Sequence, residues 1–227
     1  MTASGDDPRD SRSPRNTRWL RDVTDRVPTA WLPGIVTAVF LGAAAAFGGL
    51  EAVAAPPIAT LQAGEEHRND MLAFTVERAV LIDSFPEAGA SANAEKGERV
   101  LAVVVTAENT WDRAVPAEND ASLTGMLRAP SLADPVPVAA ARFDDGTKEP
   151  WLQPGLPAEL VVTWIIDEDE LAAGDQIELD LRDFSLQQGQ VVFSGDVWSD
   201  PVVTARIAIP VTDVGAGADA EQTEAEQ

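Results

Sequence analysis

The sequence predicts an all-β domain, an antiparallel sandwich of two sheets, preceded by one transmembrane helix. Three observations carry this. One uncharged apolar run lies near the start of the 227-residue chain. Period-two hydrophobic patterns recur between residues 70 and 213, where helical periodicity is almost lacking. Turn-forming clusters separate those patterns at short intervals.

The apolar run is Trp31–Leu50, twenty residues without a charge. At 1.5 Å per residue a helix of that length spans ~30 Å, the thickness of a bilayer core. Trp31 suits the membrane interface, and Pro33 falls in the first turn, where its missing N–H costs nothing. Six arginines (Arg9, Arg12, Arg15, Arg18, Arg21 and Arg26) precede the run, whereas Glu51, Glu65 and Glu66 follow it. The positive-inside rule then makes it a signal-anchor, with residues 1–30 a disordered cytoplasmic tail and the remainder extracytoplasmic. Ala52-Val53-Ala54 offers a small-residue cleavage site, the competing reading as a signal peptide. The length of the leader and of the apolar run argues against it. A buried helix of a soluble protein is a third reading, disfavoured because the segment is apolar all round.

Residues 51–69, which include Pro56-Pro57, read as a juxtamembrane linker, 70–213 as the sandwich and 214–227 as a disordered acidic tail. Within the sandwich, Leu72, Phe74 and Val76 alternate with smaller or polar residues, as do Leu101, Val103 and Val105. Ile177, Leu179 and Leu181 alternate with Glu178, Asp180 and Arg182, the pattern of a strand with one wet face. Ala205, Ile207 and Ile209 continue the series. Leu160–Ile166 is apolar except for Thr163, as expected of a strand covered on both sides. Weaker strands are expected at Ser122–Leu127, Val138–Phe143 and Gln190–Phe193, and a helical turn at Asp169–Ala173. Asp144-Asp145-Gly146, Gln153-Pro154-Gly155 and Ala173-Gly174-Asp175 are among the turns that punctuate them.

Glu98-Arg-Val-Leu-Ala-Val-Val-Val-Thr-Ala-Glu-Asn109-Thr-Trp111 resembles the signature strand of immunoglobulin-like, telokin-like modules attached to bacterial membranes. Leu152-Gln153-Pro154-Gly155, then Ala158–Ile166 and Asp167-Glu168-Asp169, match a later turn, strand and acidic loop of that family. The likeness covers about residues 70–210. The sequence departs from the family in having no lipobox cysteine before the domain. The resemblance implies an immunoglobulin-like ectodomain and little chemistry.

Composition narrows function further. Arginine outnumbers lysine 14 to 2 in an Ala- and Val-rich chain, the bias of a GC-rich bacterial genome. From Glu51 onward 10 basic residues face 33 acidic ones, a formal −23, which repels nucleic acid. There is no cysteine, so disulfides, Cys-ligated zinc and a thiol nucleophile are excluded. His67, the sole histidine, sits in a polar run of the expected linker and reads as a linker residue rather than a base. Ser122, Ser131, Ser185, Ser194 and Ser199 lie in no Gly-x-Ser-x-Gly context. Asp167-Glu168-Asp169-Glu170 lacks the spacing of a calcium loop and reads as a solvated turn. Asp144-Asp145-Gly146 reads as a hairpin turn. No catalytic residue, metal or cofactor is assigned, and no enzyme is expected.

Trp164 falls in the most apolar strand and is expected in the core. Trp111, Trp151 and Trp198 adjoin turns and are expected to be half exposed, either as covers for the ends of the sandwich or as contacts for a ligand or partner. The expected function is a membrane-anchored, extracytoplasmic binding or scaffold module contacting another envelope or membrane protein. The alternative is a module that binds a neutral cell-wall glycan through the same tryptophans.

Overall fold

The computed structural model describes residues 31–46, 57–189 and 195–215. The chain divides into two units, Met1–Ala55 and Pro56–Gln227. In the first, helix α1 runs over Leu32–Ala46, fifteen residues with no charged side chain. At 1.5 Å per residue this is roughly 22 Å. Val36, Val39 and Phe40 are exposed on it, and Thr37 Oγ1 donates to the Pro33 carbonyl at 2.9 Å. Among the described residues no helix is long and apolar enough to cross a membrane. Residues 47–50 of the expected span, the tail 1–30, the end of the chain from 216 and the strand expected at Gln190–Phe193 lie outside the described residues.

The second unit is a β-sandwich. Its strands are β1 (Ala59–Leu61), β2 (Glu66–Arg68), β3 (Leu72–Ile82), β4 (Glu98–Asn109), β5 (Val115–Pro116), β6 (Leu127–Arg128), β7 (Ala139–Arg142), β8 (Trp151–Leu152), β9 (Pro157–Asp167), β10 (Gln176–Gly189) and β11 (Gly195–Asp213). The order β6-β10-β11-β3-β4-β9-β7 forms the main path, with β1 beside β11 and β2 beside β3. One sheet is β6-β10-β11 plus β1, the other β3-β4-β9-β7 plus β2, and β11 belongs to both. Its Ala205–Ile207 runs parallel to β1, and its Val211–Asp213 runs parallel to β3. Pro210 falls in the gap between those two partners, where a residue without an N–H is tolerated. A strand that switches sheets in this way makes a corner of a sandwich.

The two sheets enclose Phe74, Leu101, Val103, Leu160, Trp164, Leu179 and Ile207, with their neighbours, in one buried cluster. A β-bulge keeps β3 in it. Val76 pairs with Val105 and Arg78 with Val104, so Glu77 is left over. That extra residue shifts the inward parity from Leu72, Phe74 and Val76 to Ala79 and Leu81. Without it the second half of β3 would turn its apolar side chains outward. β9 is covered on both faces, as its apolar run from Leu160 to Ile166 predicts; β4, whose alternation predicts one wet face, is also covered on both along Val100–Val105. A second buried cluster joins Val100, Ala102, Val104 and Val161 to Ala88 and Ala90 of the excursion between β3 and β4.

Three expectations are corrected. Residues 51–69 are not wholly a linker: β1 and β2 lie within them, and His67 is buried on β2. A single histidine in a polar run gives no local sign of a partner more than a hundred residues away. Ser122–Leu127 is not a strand but a helical turn, α2 (Leu123–Met126), leading into β6. Gly125 dictates it, since a Cβ there would lie 2.0 Å from the Asp120 carbonyl oxygen. Asp169–Ala173 is a non-helical turn, closed by the Glu170 amide donating to the Asp167 carbonyl at 3.1 Å.

At one end of the sandwich Arg99 clasps the chain. It donates twice to Asp213, at 2.7 and 2.8 Å, and once to Asp83 at 3.0 Å. The hydrogen bonds from Arg99, and then that from the Gly215 amide, hold the Asp213 carboxyl at about 2 against an ordinary 3.8.

Trp164→Ala, which empties a fully buried site, is expected to cost about 3–5 kcal/mol in urea unfolding. Asp213 has a depressed folded pKa, so its contribution is present above the unfolded value of 3.8 and is lost as pH falls through about 2. Thermal unfolding across that acid range should show a shallower loss of stability for Asp213→Asn than for the parent; an identical slope would refute the assignment.

Candidate functional site

The end of β4 organises the loops beside it. Asn109 is fully buried and its side chain is satisfied on both sides. Its Nδ2 donates to the carbonyls of Arg113 at 2.7 Å and Leu152 at 2.8 Å, and its Oδ1 accepts from the Trp111 amide at 2.9 Å. Its own carbonyl accepts from Gly155 at 2.8 Å. Gly155 has φ 69°, the left-handed turn geometry its Pro-Gly sequence predicts. One amide therefore fixes both the loop carrying Trp111 and the turn after β8, which carries Trp151. β8 in turn pairs with β5, Val115 against Leu152 and Pro116 against Trp151.

The third tryptophan arrives on β11. Beyond Leu181 on β10 and before Ala205 on β11, those two strands continue as a ribbon paired through Leu186 and Trp198. Trp198 meets Trp111 edge to face, ring centroids 5.6 Å apart at 87°. Arg113 lies 5.1 Å from the Trp111 ring and bonds Asp196 at 2.8 Å, locking ribbon to loop. Trp111, Trp151 and Trp198 thus line one cleft of about 400 Å³, together with Met71, Ser122 and Val197 among others. Trp111 and Trp198 are half-buried, whereas Trp151 is 61% exposed, more open than the half exposure expected.

Two features of the cleft have chemical meaning. Asp196 is its sole ionisable lining residue among those described, and Arg113 neutralises it. The lining is uncharged overall in a domain whose surface is strongly acidic. Ser122 Oγ and Trp198 Nε1 are buried and find no hydrogen-bond partner among the described residues. A buried polar atom without a partner is costly, and both of these belong to residues that line the cleft.

The other residues singled out in the sequence lie elsewhere. Glu170 accepts the amides of Ala133 at 2.6 Å and Asp167 at 3.0 Å, pinning loops with its carboxylate. Among the described residues no group of three His, Cys, Asp or Glu is arranged to hold a metal. Asp144 is bound by Arg142 at 2.7 Å, and that hydrogen bond lowers its pKa. His67, 8% exposed, stands edge-on to Phe74, with Nε2 2.8 Å from Asp183 Oδ1. Asn69 Nδ2 donates to the same oxygen at 2.9 Å. Burial pushes the Asp183 carboxyl up, but its hydrogen bonds with His67, Asn69 and Thr204 outweigh that and leave it lowered. Sequence reasoning missed this pair and missed Ser122 as a cleft residue.

No protein-family model matches the chain, and no curated protein matches it in sequence. Two solved structures are similar. An uncharacterized β-sandwich protein from Clostridium difficile 630 is 9% identical, with a TM-score of 0.39 over 69% of this chain and 97% of that one. A candidate lipoprotein from Staphylococcus aureus is also 9% identical, with a TM-score of 0.38 over 67% and 96%. At such scores the fold rests on the strand pairing of this chain alone.

Asn109→Ala is expected to destabilise the domain by at least ~2 kcal/mol, because the Leu152 and Arg113 carbonyls and the Trp111 amide lose their partner together. The same variant should weaken the near-ultraviolet circular dichroism of the Trp111–Trp198 pair. Stability equal to the parent would show that the loops hold without this amide.

Proposed function

We propose that the chain is a single-pass membrane-anchored binding module, with residues 31–50 in the bilayer, residues 1–30 cytoplasmic and an immunoglobulin-like, telokin-like sandwich outside the cell. Its partner in this reading is another envelope or membrane protein, and the contact surface is the cleft of Trp111, Trp151 and Trp198. One observation carries the reading: three tryptophans up to 87 positions apart in the chain converge on one cleft, and the largest apolar surface there, Trp151, is left open. A packed core has no use for an exposed indole, whereas aromatic anchors set in a pocket recur at protein contacts. The exposed, charge-free α1 and the arginines before it support the anchoring and sidedness.

A second reading has its own support. An uncharged lining and an open indole face also suit a neutral cell-wall glycan, whose ring faces stack on tryptophan.

The test uses the full-length protein in its own cells, with a photocrosslinking residue at position 151. Capture of one stoichiometric envelope protein, lost in a Trp111→Ala background, is the expected result. Retention on cell-wall polysaccharide, abolished by Trp151→Ala, would transfer the cleft to the glycan reading. Capture of nothing, with no retention, would remove both. Protease added to intact cells should reach the sandwich; protection until lysis would reverse the sidedness.

A further inference from the structure

Eight arginines lie in the described part of the sandwich, amid an excess of carboxylates. Five of them pair with acids: Arg68 with Glu66, Arg99 with Asp83 and Asp213, Arg113 with Asp196, Arg142 with Asp144 and Arg206 with Asp180. Arg78, Arg128 and Arg182 form no salt bridge to a described residue. Arg78 is exposed and lies over Phe143, where water solvates it. Arg128 and Arg182 differ, because both are partly buried and they are neighbours.

Their adjacency comes from the sheet. Arg128 on β6 pairs in register with Asp180 on β10, and Arg182 is two residues further along the same face of β10. Asp180 is already engaged by Arg206 at 2.7 Å. One nitrogen of Arg128, Nη1, is fixed by the Thr124 and Leu127 carbonyls, each at 2.6 Å. Arg128 is among the residues that line a polar cavity of about 340 Å³. Arg182 is steadied by the Phe184 ring at 5.5 Å, and its buried Nε has no hydrogen-bond partner among the described residues. Burial lowers the pKa of Arg128, and the charge of Arg182 lowers it further; burial likewise lowers that of Arg182. Two desolvated like charges side by side oppose folding unless an anion joins them.

We propose that Arg128 and Arg182 form a binding site for a single carboxylate group. A guanidinium presents parallel N–H donors that match a carboxylate in plane and spacing. The charge of the anion follows from the surroundings. Asp120 and Asp134 act on Arg128, Asp180 acts on Arg182, and Glu118 lines the cavity. Those carboxylates oppose any anion, and a dianion such as phosphate about twice as strongly as a monoanion. The site shares neither arginine with the tryptophan cleft and does not depend on what that cleft binds.

The test is a titration of the full-length protein, ¹⁵N-labelled at arginine and held in zwitterionic detergent, followed at the arginine Nε–Hε resonances. Acetate and N-acetyl-glutamic acid amide should each shift the Arg182 signal along a saturating curve. A tighter response to the second assigns the carboxylate to a protein side chain, and equal responses assign it to a free acid. Acetamide should shift nothing, Arg128→Gln should abolish the saturation, and the Arg142 signal should not respond. Shifts that rise linearly and alike at every arginine would overturn the site, and inorganic phosphate binding as tightly as acetate would overturn its monoanion character. Thermal unfolding of Arg182→Met gives an independent reading. Removal of an unpaired, desolvated charge should leave the melting temperature unchanged or raise it; a marked fall would make Arg182 structural and sink the proposal.

Discussion

The buried amide of Asn109 is the constraint on which the functional end of the sandwich depends. A primary amide offers two donors and an acceptor that takes more than one bond, and here each function is directed at a different piece of backbone. Loops that leave a sheet carry unpaired carbonyls and amides, which must find water or protein. Asn109 satisfies those of two loops from inside, so both can pack against the sheet end without solvent. Trp111 and Trp151 sit on those two segments, and their positions are therefore fixed by a polar group in the core. An aspartate at this position would lack the donors, and a leucine would have nothing to offer the backbone.

The ribbon of β10 and β11 owes its place to a different constraint. β11 is nineteen residues long because it serves two sheets and then continues beyond both. Past its β1 partner it is held by β10 alone, with register shifts near Arg182 and between Asp183 and Ser185. Asp200, opposite the second shift, takes a positive φ of 56°, which an aspartate accepts more readily than a branched residue. These irregularities bend the ribbon, and the contacts of Trp198 with Trp111 and of Asp196 with Arg113 tie it to the loop. His67 and Asn69, both bonded to Asp183, brace its base.

Much of the sandwich was legible in the sequence because its strands obey simple alternation. β10 reads directly from Ile177, Leu179 and Leu181, and the double covering of β9 reads from its unbroken apolar run. The bulge at Glu77 was not legible, since a parity change inside Leu72–Ile82 resembles a weak strand. α2 was missed because its steric cause, the closeness of Gly125 to Asp120, exists only after the loop has closed. β1 and β2 were hidden because a strand of three residues is too short to carry a periodic signal. For the candidate cleft, residue type and turn context singled out the three tryptophans, but their convergence was beyond reach. It depends on pairings between β5 and β8 and between β10 and β11, which a linear pattern does not specify. Ser122 has no nucleophile context in the sequence, and nothing beside it marks a residue of the cleft.

Charge distribution joins the two ends of this reasoning. In a domain with so many carboxylates, an arginine that finds no acid is a matter of placement rather than supply. The paired arginines sit where loops or edge strands bring acids to them: Arg142 beside its own hairpin turn, Arg99 at the close of β11, Arg113 opposite the ribbon. Arg128 and Arg182 lie on a sheet face where Asp180, the acid in register with Arg128, is already held by Arg206. The tryptophan cleft shows the opposite arrangement, with its single acid neutralised by Arg113. A surface that is acidic by default therefore carries two local exceptions, one uncharged and aromatic, the other cationic and partly dry. In each, polar atoms are withdrawn from water without a partner among the described residues, a cost that the packing around them must offset.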